Sequence, residues 1–454
     1  MDEKNKRLFL LGEEKLSKAL LKLGIPTMIG MIVSALYSIV DAFFVGRLGT
    51  SAITAVTVVY PVTMIGTGIG LLFGSGAGSY LARLLGTGDY KKVEECASTV
   101  IVSGIITATI MVSLMLLFFT PLMKAMGATP DVMTDVKAYG YLFIGGLVFN
   151  IFSVMVNNMI VAEGASGFSM FAMLVGGISN IILCPICIYG LRMGIEGASL
   201  ATFLARLLSA GLYVFYLCGG KTYMKLRLRA FRPTKELYKE VFKVGIPLLV
   251  FQFLSSFTMS ITNIAAKSYG TEVIAAMGIV NRIVSLESMA LFGFLKGYQP
   301  LVGYNYGAKN IKRTKEATSL ALKWSTAACV IFGLICIIFS KQVVLLFNTE
   351  SARVLMVGQK ALILTSLSYM TLGIQIVYGT YFLAIGRAKE GGILSICRQG
   401  VFFLPAILIL PKLFGLNGLV CAQLFADVCS VTLTILFIIR ERKKERYVEC
   451  LSKA

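Results

Sequence analysis

"LGIPTMIGMIVSALYSIVDAFFVGRLGTSAITA" (residues 23–55) and "VGIPLLVFQFLSSFTMSITNIAAKSYGTEVIAA" (residues 244–276) lie 221 positions apart and align without a gap. Gly24, Ile25, Pro26, Ser34, Gly49, Thr50, Ile53 and Ala55 all meet identical residues. The register continues: "GTGDYKK" (86–92) meets "GAKNIKR" (307–313), and "GIEGASLATFLA" (194–205) meets "GLNGLVCAQLFA" (415–426). One register held over so long a stretch marks an internal duplication.

Both copies are apolar almost throughout. The 454 residues are 57% hydrophobic with a mean hydropathy of +0.80, above the roughly 45–50% apolar share of soluble domains. Twelve runs are long enough to cross about 30 Å of hydrocarbon as helices: 23–46, 53–82, 97–123, 138–162, 168–190, 194–218, 244–266, 273–303, 318–340, 357–385, 391–411 and 416–439. They are continuously apolar, whereas barrel strands alternate.

Six spans return the chain to its starting side, so the second copy enters the membrane oriented like the first. The expected fold is an all-α membrane protein of twelve transmembrane helices, in two six-helix lobes related by a pseudo-two-fold along the membrane normal. The first lobe is expected over 1–218 and the second over 244–454. Between them "GGKTYMKLRLRAFRPTKELYKEVFK" (219–243) reads as a cytoplasmic linker, partly an amphipathic surface helix.

The formal charge of +20 is a matter of topology. Loops on one side hold Arg47, Lys124, Lys137, Arg192, Lys267, Lys341, Arg353, Lys360 and Lys412, and the termini and opposite loops hold about three times as many basic residues. Both termini are therefore expected in the cytoplasm, in a multi-pass protein of a bacterial-type inner membrane. The partner implied is the lipid bilayer and not nucleic acid; a monomer is expected. The first twenty residues mix charges throughout and show no cleavable signal. The ten cysteines, nearly all inside spans, read as small buried apolar residues.

Catalysis is not expected. There is no histidine, hence no HExxH motif or Ser-His-Asp triad, and no GxxxxGK[ST] loop for ATP. Neither a metal site nor a cofactor is expected, and two matching bundles point to transport by alternating access.

An ionised carboxylate at the centre of a membrane helix costs roughly 2.5–3.5 kcal/mol, so each needs a reason. Asp41 follows Tyr37 by one turn and Ser34 by two, which stacks them on one face. Asn150, Asn157 and Asn158 on the fourth span, Asn180 on the fifth and Thr202 on the sixth complete a candidate polar cluster. Asp41 is either a carboxylate that binds H⁺ or Na⁺ and couples it to substrate movement, or a structural group neutralised by hydrogen bonds or by Arg206. Its counterpart in the second copy is Thr262.

The second copy instead carries Arg282, Glu287 and Lys296 on the eighth span, Arg398 on the eleventh and Asp427 on the twelfth. Glu287 is a cation ligand, a substrate counter-ion or an ion-pair partner. Asp427, Lys296 and Arg398 read first as charge balance. Pro26 and Pro247, at matching places, each remove an intrahelical hydrogen bond and produce either a hinge or a static bend. The glycines of "GTGIGLLFGSGAGS" (66–79) allow close helix contact.

"GYQPLVGYNYGAK" (297–309), with "GIP" at both repeat starts, "IVDAFFVGRLG" and "GASLAT", resembles the multidrug and toxic compound extrusion (MATE) family, in particular its prokaryotic MepA/DinF-like branch. The resemblance covers about residues 10 to 440. It implies a V-shaped twelve-helix antiporter that exports amphipathic, often cationic drugs in exchange for H⁺ or Na⁺. By the resemblance, Asp41 belongs to a cation site with Tyr37, Tyr139, Asn157, Asn180 and Thr202. It also associates Pro26 with a protonation-linked kink and Glu287 with coupling or drug recognition; Arg398 and Asp427 join Glu287 as second-lobe candidates for coupling or substrate. The family's fifth-helix N-x-x-x-D pattern is here "NIILC", with Cys184 at the acidic place. Two rival readings are a flippase for lipids or lipid-linked saccharides, and a non-transporting membrane receptor or scaffold.

Overall fold

The computed structural model describes residues 3–347 and 351–453, nearly all of them helical. A short α1 (Glu3–Gly12) precedes α2 (Leu16–Gly46), α3 (Thr50–Thr87), α4 (Tyr90–Leu117), the short α5 (Phe119–Ala125), α6 (Met133–Gly145), α7 (Leu147–Ala162), α8 (Ser166–Pro185) and α9 (Ile195–Cys218). The second copy follows with α10 (Lys235–Lys267), α11 (Thr271–Gly307), α12 (Ile311–Ile338), the short α13 (Ser340–Leu345), α14 (Ala352–Ala384), α15 (Ala388–Ile396) and α16 (Leu404–Lys453).

Eleven stretches of the described residues are long and apolar enough to cross a membrane. The last, Ala388–Glu441, covers two crossings because the backbone leaves helical geometry at Gly415 (φ 59°, ψ −139°). Twelve spans result. The fourth is broken at Gly146, between α6 and α7, where the sequence reads as one run. The basic stretch before α10 differs from expectation: Lys235–Lys243 is no separate surface helix but the first turns of α10 itself, which continues unbroken to Lys267.

The duplication is visible in the backbone. Gly49 and Gly270 share φ values of 114° and 107°, Gly88 and Lys309 share 76° and 58°, and α5 and α13 begin at matching positions. Asp89 and Asn310, again matching, each accept a bond from a backbone N–H three residues on, of Lys92 and Arg313, at 3.1 Å. Capping chemistry has been kept where the apolar filling between the caps has drifted.

By contacts the chain falls into two compact units: Met1–Phe253 with Phe292–Ala317 and Ala384–Gly386, and Leu254–Leu291 with Thr318–Leu383 and Arg387–Ala454. In the first unit α3 lies on α7 through a glycine stripe. Gly66 faces Leu147 and Ile151, Gly70 faces Val154, Gly74 the backbone of Met155, and Gly78 the carbonyl of Asn158. A methyl on Gly74 would sit 2.7 Å from Met155 Cα, so the two helices touch backbone to backbone. The second pairing, α2 on α8, runs parallel: Gly30 meets Met173 and Gly177 meets Val33 and Tyr37.

The end of this unit that carries α1 is densely bonded. Glu163, between α7 and α8, is 1% exposed and accepts from Arg7 at 2.5 Å, Tyr216, Thr222 at 2.7 Å and the Tyr223 N–H at 3.2 Å. Burial pushes its carboxyl above the ordinary glutamate range despite Arg7. Asn305 donates to the Leu11 carbonyl at 2.8 Å and Arg313 to the Glu14 carbonyl at 2.5 Å, which ties the second copy's α11 and α12 to the amino-terminal segment.

Candidate cation and transport site

Asp41 sits half-buried in the last third of α2, facing α8. Its carboxylate accepts a bond from the Cys184 thiol at 3.5 Å. The parallel register of the two helices explains the meeting: Val33 lies on Gly177, so Asp41, two turns past Val33, falls opposite Cys184, two turns past that glycine. Asp41, Arg206, Tyr139 and Tyr37 form one electrostatic neighbourhood.

Arg206 does not clamp the carboxylate. Its guanidinium donates to the Phe143 carbonyl at 3.1 Å and stacks over the Phe143 ring at 4.2 Å. That carbonyl lies in the turn that ends at the Gly146 break, where the intrahelical ladder is interrupted. Tyr139, 2% exposed, stacks on the same Phe143 ring at 4.9 Å between centroids. The break in the fourth span thus gathers Tyr139, Phe143 and Arg206 next to Asp41.

The remaining first-copy residues form two further groups. Asn180, one turn before Cys184, donates to Thr202 at 3.2 Å and leaves its own carbonyl oxygen buried with no partner. Asn157 lies apart. Its amide donates to Ser169 at 2.6 Å and Tyr213 at 2.7 Å, and its carbonyl oxygen accepts from Lys296 of α11. The six residues named for the first copy therefore divide into Asp41 with Tyr37 and Tyr139, Asn180 with Thr202, and Asn157 with a lysine.

In the second unit, Asp427 is 1% exposed and saturated. It accepts from Arg398 at 2.8 Å, Ser368 at 2.8 Å and Gln423 at 2.9 Å. Glu287 differs. It is 9% exposed, one carboxyl oxygen is buried without a partner, and no cation bonds it among the described residues. Around it lie Cys329, Cys336 and Tyr369, the last bonded to Ser288 at 2.8 Å. Ser368 donates to Asp427, whereas its neighbour Tyr369 on α14 bonds Ser288 and not Glu287.

Pro26 and Pro247 both lie inside unbroken helices, α2 and α10. Pro26 leaves the Lys22 carbonyl without its helical donor, and the Ser166 hydroxyl fills that place at 3.0 Å. Gly293 and Gly297 of α11 press on the Leu23–Met28 backbone from the other side. Sequence reasoning treated Lys296 as charge balance and passed over Ser166; "FLKGYQP" had signalled the first, a lysine in an apolar run, while nothing local marks the second.

A twelve-span helical protein of duplicated design, with buried carboxylates in both copies, is a membrane carrier in build. The model of the MatE family matches residues 26–186 and again 247–408, once on each copy. The chain is 30% identical over 442 residues to the multidrug export protein MepA of Staphylococcus aureus, covering 97% of each, and 28% identical to MepA of Staphylococcus saprophyticus, again covering 97% of each. Among solved structures, an outward-facing multidrug resistance MATE family transporter of the MOP superfamily superposes with TM-score 0.90 at 26% identity, covering 99% of both chains. A MATE in complex with MaL6 superposes with TM-score 0.91 at 25% identity, covering 99% of this chain and 100% of that one. The chain belongs to the MatE family.

Proposed function

We propose that this protein is a multidrug exporter that drives amphipathic, often cationic compounds outward in exchange for H⁺. The relatives' names support export. The observation that carries the choice of ion is the Asp41–Cys184 contact. Na⁺ is a hard cation that needs several oxygen ligands, and a neutral thiol is a poor one. H⁺ needs only a single basic oxygen with access to water. Asp41 is the proposed carrier in the first copy, with Glu287, whose oxygen has no partner, as its counterpart in the second. Arg398 and Asp427 bind each other and serve as structure.

The proposed setting is a bacterial inner membrane with both termini cytoplasmic, as the basic end of the chain supports. For a neutral substrate one proton moving inward across 100 mV supplies about 2.3 kcal/mol, enough for a gradient of a few tens-fold; a one-for-one exchange with a monovalent cation is electroneutral and is driven by the pH difference, about 1.4 kcal/mol per unit. The cycle is competition: H⁺ on Asp41 or Glu287 favours release of drug, and bound drug favours release of H⁺.

Ethidium uptake into everted vesicles tests this, with a pH gradient and a Na⁺ gradient imposed separately. A pH gradient alone should drive uptake, and Asp41→Asn should abolish the drive. Uptake with Na⁺ alone would overturn the choice of ion, and uptake with neither would overturn export by exchange.

A further inference from the structure

Lys296 is a formal positive charge placed inside a membrane span, and among the described residues no carboxylate lies within ion-pairing distance of it. Its ammonium is bonded instead to the carbonyl oxygen of Asn157. That oxygen is held toward the lysine because both amide hydrogens of Asn157 are committed elsewhere, to Ser169 and Tyr213. Beside the ammonium is a small cavity of about 10 Å³, near the least that holds one water, lined by Ser75, Gly78, Asn158, Gln299 and Pro300. Its lining offers only neutral dipoles. A charge at this depth is costly unless such partners are present.

The bond joins α7 of the first copy to α11 of the second, and both ends lie within one compact unit. On α11, Lys296 and Glu287 are nine residues apart, half a turn out of phase, so they project from opposite faces of that helix. Other bonds between the copies in this unit include those from Asn305 and Arg313 to the Leu11 and Glu14 carbonyls, from Ser79 to the Ala384 carbonyl at 3.3 Å and from Gln252 to the Met64 sulfur at 3.0 Å.

We infer that Lys296 is a positioning residue of the transport cycle, its ammonium acting as a tethered internal cation that latches α11 to α7 through Asn157. The inference rests on the reading of the chain as an alternating-access exporter. When the two copies part on this side, the ammonium loses its acceptor and needs water in exchange. A free cation reaches the Asn157 oxygen only after Lys296 has left it.

The test is the reactivity of a cysteine at Ser75, which is 8% exposed and lines the small cavity. It is placed in the full-length chain with the native cysteines replaced, and a charged methanethiosulfonate is applied to the cytoplasmic face of everted vesicles. Lys296→Met should raise the modification rate at least fivefold. Asn157→Asp, which supplies a carboxylate to the lysine, should lower it about threefold and slow turnover with little change in KM. Lys296→Arg should stay within twofold of the parent. A purely structural role would move the Lys296→Met and Asn157→Asp variants in the same direction; that result, or a Lys296→Met rate within twofold of the parent, overturns the latch. If the rates separate as expected while the parent exports nothing, the latch stands and the export reading falls.

Discussion

Gly194 and Gly415 hold the same backbone conformation, φ 57° with ψ −132° and φ 59° with ψ −139°, at equivalent points of the two copies. A side chain rarely adopts this geometry, and each residue stands where one span turns into the next. Replacing either by alanine should destabilise the protein by about 1–3 kcal/mol, with the two variants alike. Gly211, helical and with open space at its Cβ position, is the control; its alanine variant should be neutral or slightly more stable. Thermal unfolding in detergent compares all three.

Asp89 caps the start of α4, and the Lys92 backbone N–H holds its carboxyl below the ordinary aspartate range. The folded state therefore binds this proton less readily than the unfolded chain. The cap's contribution is present above about pH 4 and fades as the pH falls through the folded value. Asp89→Ala should cost roughly 1 kcal/mol at neutral pH. Asp89→Asn, as its counterpart Asn310 shows, should keep the cap and remove that share of acid sensitivity. Unfolding curves of the three proteins from pH 7 to pH 3 would separate these outcomes.

Arg398 and Asp427 present the opposite case, a buried pair in which both carboxylate oxygens of Asp427 have donors. Asp427→Asn leaves a buried guanidinium uncompensated and should cost about 3–5 kcal/mol, whereas Arg398→Met with Asp427→Leu should cost much less. A double-mutant cycle on unfolding midpoints measures the difference. If Asp427→Asn unfolds like the parent but cannot export, the structural assignment of the pair is wrong.

Cys184→Asp places a second carboxylate beside Asp41. With two acidic groups and the unpaired Asn180 oxygen one turn away, Na⁺ acquires hard ligands. A Na⁺ gradient should then drive ethidium into everted vesicles where it does not in the parent. Cys184→Ser should leave the ion preference as it was.

The duplication, the twelve spans and the glycine stripe were legible because each is written as a period along the chain, in hydropathy, in the offset of 221 residues or in a four-residue spacing. The grouping of the polar residues was not. Asn157 looks from the sequence like a companion of Asp41, and only the fold shows its oxygen committed to Lys296. The break at Gly146 was equally hidden, since Leu142 to Leu147 is apolar without interruption and the Arg206 side chain that satisfies the broken turn is some sixty residues away.

Pro26 and Ser166 carry a last consequence. Whether a proline is a joint or a brace is ordinarily read from the helix that contains it. Here the answer resides on another helix, in one hydroxyl that meets the carbonyl the proline left bare. Pliancy at this bend is thus a relation between two segments and can be switched without touching the proline, by whatever draws α8 away from α2.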